Sequence, residues 1–258
     1  MSFIDHERED GVAIVTLNRP EKLNSLTGAM ILELSELFRG FASAPSLRAV
    51  VLTGTGEKAF CVGTDISELA EGDEATALHI SQRGQTLCDL IEQCPVPVIA
   101  AINGIAVGGG CELALACHIR LATAHTRFSL PETRLGIMPG YGGTQRMPRE
   151  VGQSRALEIM LGGREVSAGD AERLGLISRV VDAANLLTEA KSLAQDIAKL
   201  APLAIRACLE SVRVGLELPL EEGLAVETRL FAELFETADM REGTRAFLEK
   251  RSPRFKGE

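Results

Sequence analysis

The chain has 258 residues, of which 45% are hydrophobic and 24% are charged, as is ordinary for a globular protein. Its 27 basic and 36 acidic residues give a formal charge of −9, which argues against a general affinity for nucleic acid or for an anionic membrane surface. The N-terminal MSFIDHERED lacks the basic start and apolar core of a secretory signal, and the six cysteines show no CxxC pairs, so we expect a reducing, cytoplasmic location.

The first part of the chain alternates between strand and helix patterns. The β-branched stretch over residues 11–17 predicts a strand, and apolar residues at helical spacing over 25–41 predict a helix capped by Thr27. A second strand is predicted over 47–52. After a glycine-containing loop, helical spacing returns over roughly 75–93.

The middle of the chain continues this alternation. A strand is predicted over 96–102, a helix over 111–117, and short strands over 119–122 and 126–130. Strands that alternate with helices are typical of an α/β layer architecture.

From about residue 183 onward, only helical spacing is present. These helices carry a wide apolar stripe, which requires a partner surface, either the α/β core or another subunit. No linker and no repeat separates them from the preceding residues, so we predict one continuous domain with a core over 1–195 and a helical C-terminal region over 196–258. The stripe comprises Leu220, Leu224, Phe231, Leu234 and Phe235.

Residues 96–117, VPVIAAINGIAVGGGCELALAC, are long and apolar enough to be considered as a membrane span. Pro95 and Pro97 open the segment, glycines crowd its centre, and Glu112 would be costly in lipid. A buried strand followed by a helix is the favoured interpretation.

Three consecutive glycines, Gly108 to Gly110, lie between that strand and that helix. Glycine lets a ligand approach the backbone closely, and the first amides of a helix have no intrahelical partner. This geometry suits an oxyanion such as a thioester enolate, whereas a phosphate site is disfavoured because the chain contains no GxxxxGK[ST] motif. A tight junction between strand and helix is the alternative.

Two glutamates are candidates for acid–base chemistry. Glu112 lies in the first turn of the predicted helix, where a favourable interaction with the helix dipole is the simpler explanation. Glu132 lies in the apolar, proline-flanked stretch FSLPETRLGIMPG, where burial would raise its pKa. A surface pair between Glu132 and Arg134 is the alternative there.

The segment AFCVGTDI, residues 59–66, supplies a third element. Gly63 again allows close approach of a ligand, the amide of Thr64 is placed to face it, and Asp65 is either part of the site or an ordinary helix N-cap. No metal is expected, because the four histidines at 6, 79, 118 and 125 have no ligand spacing, and the chain has no GxSxG motif of a serine hydrolase.

These motifs, AFCVGTDI, then NGIAVGGGCELALAC, then FSLPETRLGIMPGYGGTQRMPREVG, resemble the enoyl-CoA hydratase/isomerase (crotonase) family. The resemblance extends over nearly the whole chain. It implies a spiral of ββα units with a helical C-terminal extension that packs in a homotrimer or a dimer of trimers. It also implies an acyl-CoA thioester substrate, with coenzyme A as part of that substrate and no separate cofactor.

The family resemblance also implies roles for particular residues. The amides of Thr64 and Gly109 match the oxyanion hole, and Glu112 and Glu132 match the two catalytic carboxylates. The other substrate-binding residues that it implies are Asp65, Ile66 and Ser67 along the acyl-CoA, Phe247 and Lys250 from the same or a neighbouring subunit, and, more weakly, Arg19 and Lys22 for the phosphates of coenzyme A.

Hydration of an enoyl-CoA needs a base for water and an acid for Cα. We expect Glu112, held ionised by its helix terminus, to activate the water and a protonated Glu132 to serve Cα. Thr64 stands where many family hydratases carry alanine, and His118 where they carry aspartate; His118 is interpreted as a core histidine. A Δ3-Δ2-enoyl-CoA isomerase or another reaction of the crotonase family is the alternative, and a non-catalytic scaffold that binds acyl-CoA or RNA is a remote one.

Overall fold

The structure, a computed structural model, describes residues 3–70 and 72–258. The strands are β1 (Ile4–Glu9), β2 (Val12–Leu17), β3 (Ala49–Gly54), β4 (Ala59–Cys61), β5 (Val98–Ile102), β6 (Ile105–Val107), β7 (Ile119–Thr123), β8 (Arg127–Ser129), β9 (Val166–Ser167) and β10 (Arg179–Val181). The α-helices are α1 (Gly28–Ala42), α2 (Glu74–Glu92), α3 (Gly109–Ala116), α4 (Gly143–Val151), α5 (Gln153–Gly162), α6 (Ala168–Leu174), α7 (Leu186–Ala198), α8 (Pro202–Gly215), α9 (Leu220–Leu234) and α10 (Ala238–Leu248).

A six-stranded sheet in the order β1-β2-β3-β5-β7-β10 forms the centre of the molecule. All its neighbouring pairs are parallel except β1 with β2. Every residue of β3 and β5 is buried, because helices cover both faces of the sheet, and this explains why these strands read as continuous apolar runs. The α/β class predicted from the sequence is confirmed.

A smaller sheet has the strand order β4-β6-β8-β9. Thus β3, β5 and β7 lie in the large sheet, whereas β4, β6 and β8, which follow them, lie in the small one. Because β4, β6 and β8 are parallel neighbours, their carboxyl ends meet at one edge. The segments that follow these ends begin at Val62, Gly108 and Leu130, so the fold brings the three sequence motifs together.

Helix α7 packs on the large sheet through Leu186, Ala190 and Ala194, which are buried with apolar residues of that sheet. The predicted boundary at residue 196 lies within this helix, and the helices that leave the sheet begin at Pro202. No residue of α8 is buried, and α9 buries only Leu230. None of the helices within the described residues is long and apolar enough to cross a lipid bilayer.

Candidate active site

A cavity of about 490 Å³ lies at the edge where β4, β6 and β8 end. It is mainly apolar, and both predicted glutamates and both predicted amide-bearing residues line it. The lining comprises Val62, Gly63, Thr64, Ile66, Leu69, Ala77, Ile80, Ser81, Val107, Gly108, Gly109, Glu112, Pro131, Glu132, Leu135, Ile137, Met138, Gly140 and Tyr141.

The backbone around Thr64 leaves one amide free for a ligand. Leu26 N–H donates to Gly63 O at 2.7 Å, and Asp65 N–H donates to Leu26 O at 2.8 Å, so the residues on both sides of Thr64 are anchored. The N–H of Thr64 itself donates to no acceptor within the described part of the chain. It is therefore a free donor on a fixed segment at the cavity wall.

A second donor without an acceptor among the described residues is the N–H of Gly109, the first residue of α3, which has no intrahelical acceptor. Gly63 has φ +85°, and a Cβ on it would lie 2.8 Å from Gly109 N and 3.0 Å from Val107 O. Only glycine fits at 63, because a side chain would force the two segments apart. The amides of Thr64 and Gly109 are thus neighbours, as the oxyanion-hole hypothesis requires.

Glu112 is 2% exposed, and its Oε1 accepts two backbone hydrogen bonds. Tyr141 N–H donates at 2.8 Å and Gly143 N–H at 2.7 Å. Gly143 is the first residue of α4, so the N-terminus of a second helix points at this carboxyl group. No donor within the described residues reaches Oε2, which leaves that oxygen available to take a proton.

This arrangement corrects the sequence-based account of Glu112. The carboxyl group is held by the N-terminus of α4 and by Tyr141, not by the terminus of its own helix. Burial is the largest effect and raises the pKa of Glu112, although the N–H groups of Gly143 and Tyr141 and the charge of Arg146 act in the opposite direction. A raised pKa makes Glu112 a stronger base than an ordinary glutamate near neutral pH.

Glu132 lies in a short 3₁₀ helix, Glu132–Leu135, and is 9% exposed. Its Oε2 is buried and has no hydrogen-bond partner, and burial raises its pKa to about 7. Arg134 donates instead to Gly163 O at 3.0 Å, which excludes the surface pair considered above. A Cβ on Gly108 would lie 3.1 Å from Glu132 Oε1, so this carboxyl group reaches the N-terminus of α3, on which Glu112 also lies.

Tyr141 is a site residue that the sequence analysis missed. Its hydroxyl lies 2.6 Å from Thr64 Oγ1, and its N–H binds Glu112. Its ring packs against Gly109, where a Cβ would lie 3.0 Å from Tyr141 Cε2. Tyr141 is the only tyrosine of the chain and stands among glycines in PGYGG, which was the signal available in the sequence.

The other predicted contacts near Thr64 divide into two groups. Ile66 is 61% exposed and lines the cavity. Asp65 and Ser67 do not line it, because the Asp65 side chain caps the following 3₁₀ helix by accepting from Ser67 N. Asp65 also forms an ion pair with Arg19 at 2.7 Å, and this hydrogen bond is the main reason why its pKa is lowered to about 2.

The predicted cations and Phe247 lie outside the cavity of this chain. The Arg19 side chain is 14% exposed and binds Asp65 and Ser25, so it is already paired. Lys22 and Lys250 are exposed, and Phe247 is 83% exposed on α10. Their contact with coenzyme A remains a prediction.

His118 is a structural residue, as predicted. Its Nδ1 accepts from Val98 N–H at 2.9 Å, so the proton lies on Nε2, which is 3.1 Å from Glu92 O. Burial lowers the pKa of His118, and the neutral ring joins β5 to the end of α2.

A model of the enoyl-CoA hydratase/isomerase family matches residues 7–258. The chain belongs to this family. The short-chain-enoyl-CoA hydratase of Clostridium acetobutylicum is 39% identical over 245 residues, which cover 95% of this chain and 94% of that protein. The 2,3-dehydroadipyl-CoA hydratase of Escherichia coli is 41% identical over 257 residues, which cover 100% of both.

Among solved structures, an enoyl-CoA hydratase from Bacillus anthracis matches with a TM-score of 0.97 and 41% identity over 100% of both chains. The crotonase-like fold predicted from the motifs is therefore confirmed for this family member. An enzyme that acts on enoyl-CoA thioesters follows from the family.

Proposed function

We propose that the protein is an enoyl-CoA hydratase, which adds water across the 2,3 double bond of an α,β-unsaturated acyl-CoA to give a 3-hydroxyacyl-CoA. One observation carries this proposal. Two buried carboxyl groups, each with an oxygen that no described residue binds, line one apolar cavity beside two free backbone N–H groups. Hydration needs these parts: a base, an acid and two donors for the thioester oxygen.

The oxyanion donors act first in the proposed mechanism. The thioester oxygen accepts hydrogen bonds from the N–H groups of Thr64 and Gly109, which polarises the double bond and makes Cβ electrophilic. As water attacks, negative charge develops on this oxygen, and the donors stabilise the enolate. Loss of one such donor typically raises the barrier by about 2.7–4 kcal/mol.

The two carboxyl groups divide the proton transfers. Glu112 Oε2 takes a proton from water while the water oxygen forms its bond to Cβ and the π electrons move toward the thioester oxygen. Glu132, protonated below pH about 7, then gives its proton to Cα as the enolate collapses. The net change is the addition of one water molecule, after which solvent restores both carboxyl groups.

The proposal extends to substrate handling and assembly. Arg19, Lys22, Phe247 and Lys250 remain candidates for contacts with coenzyme A, and the exposed C-terminal helices support assembly as a homotrimer or a dimer of trimers. All six cysteines are free thiols, which supports a reducing, cytoplasmic location.

The test is incubation of the purified protein with crotonyl-CoA while the absorbance of the enoyl thioester is followed. We expect this absorbance to fall and 3-hydroxybutanoyl-CoA to accumulate. Conversion of a 3-enoyl-CoA alone would replace hydratase with isomerase as the function. Binding of acyl-CoA without turnover of either substrate would indicate a non-catalytic scaffold.

A further inference from the structure

Two hydroxyl groups face each other at the cavity wall. Thr64 Oγ1 and Tyr141 Oη are 2.6 Å apart, and either can donate to the other. Tyr141 is 4% exposed, and burial raises its pKa to about 12, so the phenol keeps its proton throughout the neutral range. We call these two side chains the Thr64–Tyr141 pair.

The Thr64–Tyr141 pair has one hydroxyl proton more than its mutual hydrogen bond uses. Each hydroxyl carries one proton, and their mutual hydrogen bond uses only one of the two. No acceptor within residues 3–70 and 72–258 takes the second. Ser81, the other hydroxyl residue of the cavity lining, donates its proton to Gly140 O at 2.7 Å and has none left.

We propose that the Thr64–Tyr141 pair is a hydrogen-bonding subsite for a neutral oxygen atom of the substrate's acyl chain. It selects enoyl-CoA thioesters that carry an ether, hydroxyl or carbonyl oxygen close to the double bond. This inference rests on the proposed function, because it assigns the acyl class that the same cavity accepts.

The position of the pair defines where the oxygen must lie. Thr64 also carries the N–H proposed for the oxyanion hole, so its hydroxyl lies beside the thioester end of the acyl group. Much of the remaining lining is apolar and includes Leu135, Ile137 and Met138. An oxygen two or three bonds beyond the double bond meets the spare donor, whereas an oxygen at the end of a long chain meets only hydrocarbon.

The charge of the cavity favours a neutral oxygen. Glu112 and Glu132 line the same space, and among the described residues no Lys or Arg side chain does. A carboxylate on the acyl chain close to the double bond would lie near these two acidic groups, and the described lining offers it no cation. An ether or hydroxyl oxygen accepts the hydrogen bond without that repulsion.

A matched pair of substrates tests the proposal. The 2-enoyl thioester 4-methoxybut-2-enoyl-CoA and hex-2-enoyl-CoA have the same number of non-hydrogen atoms and differ only by an ether oxygen in place of a CH₂ group. We expect the ratio of kcat/KM for the ether to kcat/KM for the hydrocarbon to be about fivefold higher in the wild-type protein than in Thr64→Val/Tyr141→Phe, as fits one neutral hydrogen bond.

The double substitution is necessary because either hydroxyl alone would still present one donor. Ser81→Ala is the control: it removes a hydroxyl from the same cavity, and we expect an unchanged ratio because that proton is already used. An equal loss for both substrates in the double variant would overturn the proposal, since it would mean that the pair only positions the oxyanion loop.

Binding of saturated thioesters separates this inference from the proposed function. By calorimetry, the wild-type protein should bind 4-methoxybutanoyl-CoA at least as tightly as hexanoyl-CoA, although the ether is better hydrated in water. If the protein binds the ether in this way but turns over no enoyl-CoA, the proposed hydratase function is wrong and the subsite proposal stands. If the wild-type protein binds the ether about tenfold more weakly than hexanoyl-CoA, the subsite proposal is wrong whatever the activity. This comparison requires no variant.

Discussion

The Glu132 carboxyl group makes a prediction about pH. Burial raises its pKa to about 7, so it is protonated below that pH and ionised above it. Because hydration requires it as the acid toward Cα, we expect kcat for crotonyl-CoA to fall about tenfold per unit as the pH rises beyond about 7. Steady-state kinetics between pH 6 and 9 will measure this, and a kcat that stays level over that range would rule out Glu132 as the acid.

The sequence placed both glutamates in one candidate site, but it did not indicate the contacts that hold them. Glu132 was singled out because a carboxyl group in apolar surroundings needs an explanation, and Glu112 because it follows three glycines at the start of a predicted helix and matches a catalytic carboxylate of the family. The groups that bind Glu112, the N–H groups of Tyr141 and Gly143, lie 29 and 31 residues away along the chain. Local spacing does not reveal such contacts, so the sequence analysis assigned the stabilisation of Glu112 to the terminus of its own helix.

Helix α3 makes a prediction at the level of the element, because it packs closely against β4. A Cβ on Gly110 would overlap the carbonyl oxygen of Cys61 and lie 2.8 Å from the Cys61 Cβ. Gly110→Ala must therefore push the helix away from the strand, and we expect it to lower the free energy of unfolding by about 2–4 kcal/mol in urea titrations.

Gly40, in α1, provides the control for that substitution. A Cβ there would meet no atom within 4 Å, so Gly40→Ala should raise the free energy of unfolding by about 0.5–1 kcal/mol. If Gly110→Ala proved as harmless as this control, the close packing of α3 on β4 would be wrong.

Most elements were predictable because their patterns are local. The central strands β2, β3 and β5 are mainly apolar runs, and Thr27 caps α1 as expected by accepting from Met30 N. Five strands were missed, namely β1, β4, β6, β9 and β10. β1 reads IDHERE and buries only its first residue, and β6 has three residues, too few to show a period. Their pairing depends on neighbours that are distant in sequence.

The C-terminal helices make the prediction for the whole molecule. On α9, Phe231 is 62% exposed, and its ring centroid lies 5.2 Å from that of Phe235, which is 50% exposed. Leu220 is 78% exposed at the start of this helix. Such a continuous apolar face favours self-association, so we expect light scattering to give a mass of three or six times the 27.6 kDa of one chain.

Phe231→Glu should lower that mass, because a charge would be buried without a partner in the interface. Leu32→Glu, at another exposed leucine on α1, is the control and should leave it unchanged. A wild-type mass of 27.6 kDa would contradict assembly. The sequence indicated an unpartnered apolar stripe, but in the proposed assembly the surface that covers it belongs to another chain and cannot be derived from the spacing within one.

The most direct measurement is the rate of hydration of crotonyl-CoA by Glu112→Gln, in protein shown to bind butanoyl-CoA as the wild type does. The amide oxygen of glutamine still accepts the N–H groups of Tyr141 and Gly143, so the site should keep its shape while it loses its base. We expect kcat to fall by about 10²–10⁴-fold with little change in affinity. A rate close to that of the wild type would contradict the proposed chemistry at this pair of carboxyl groups.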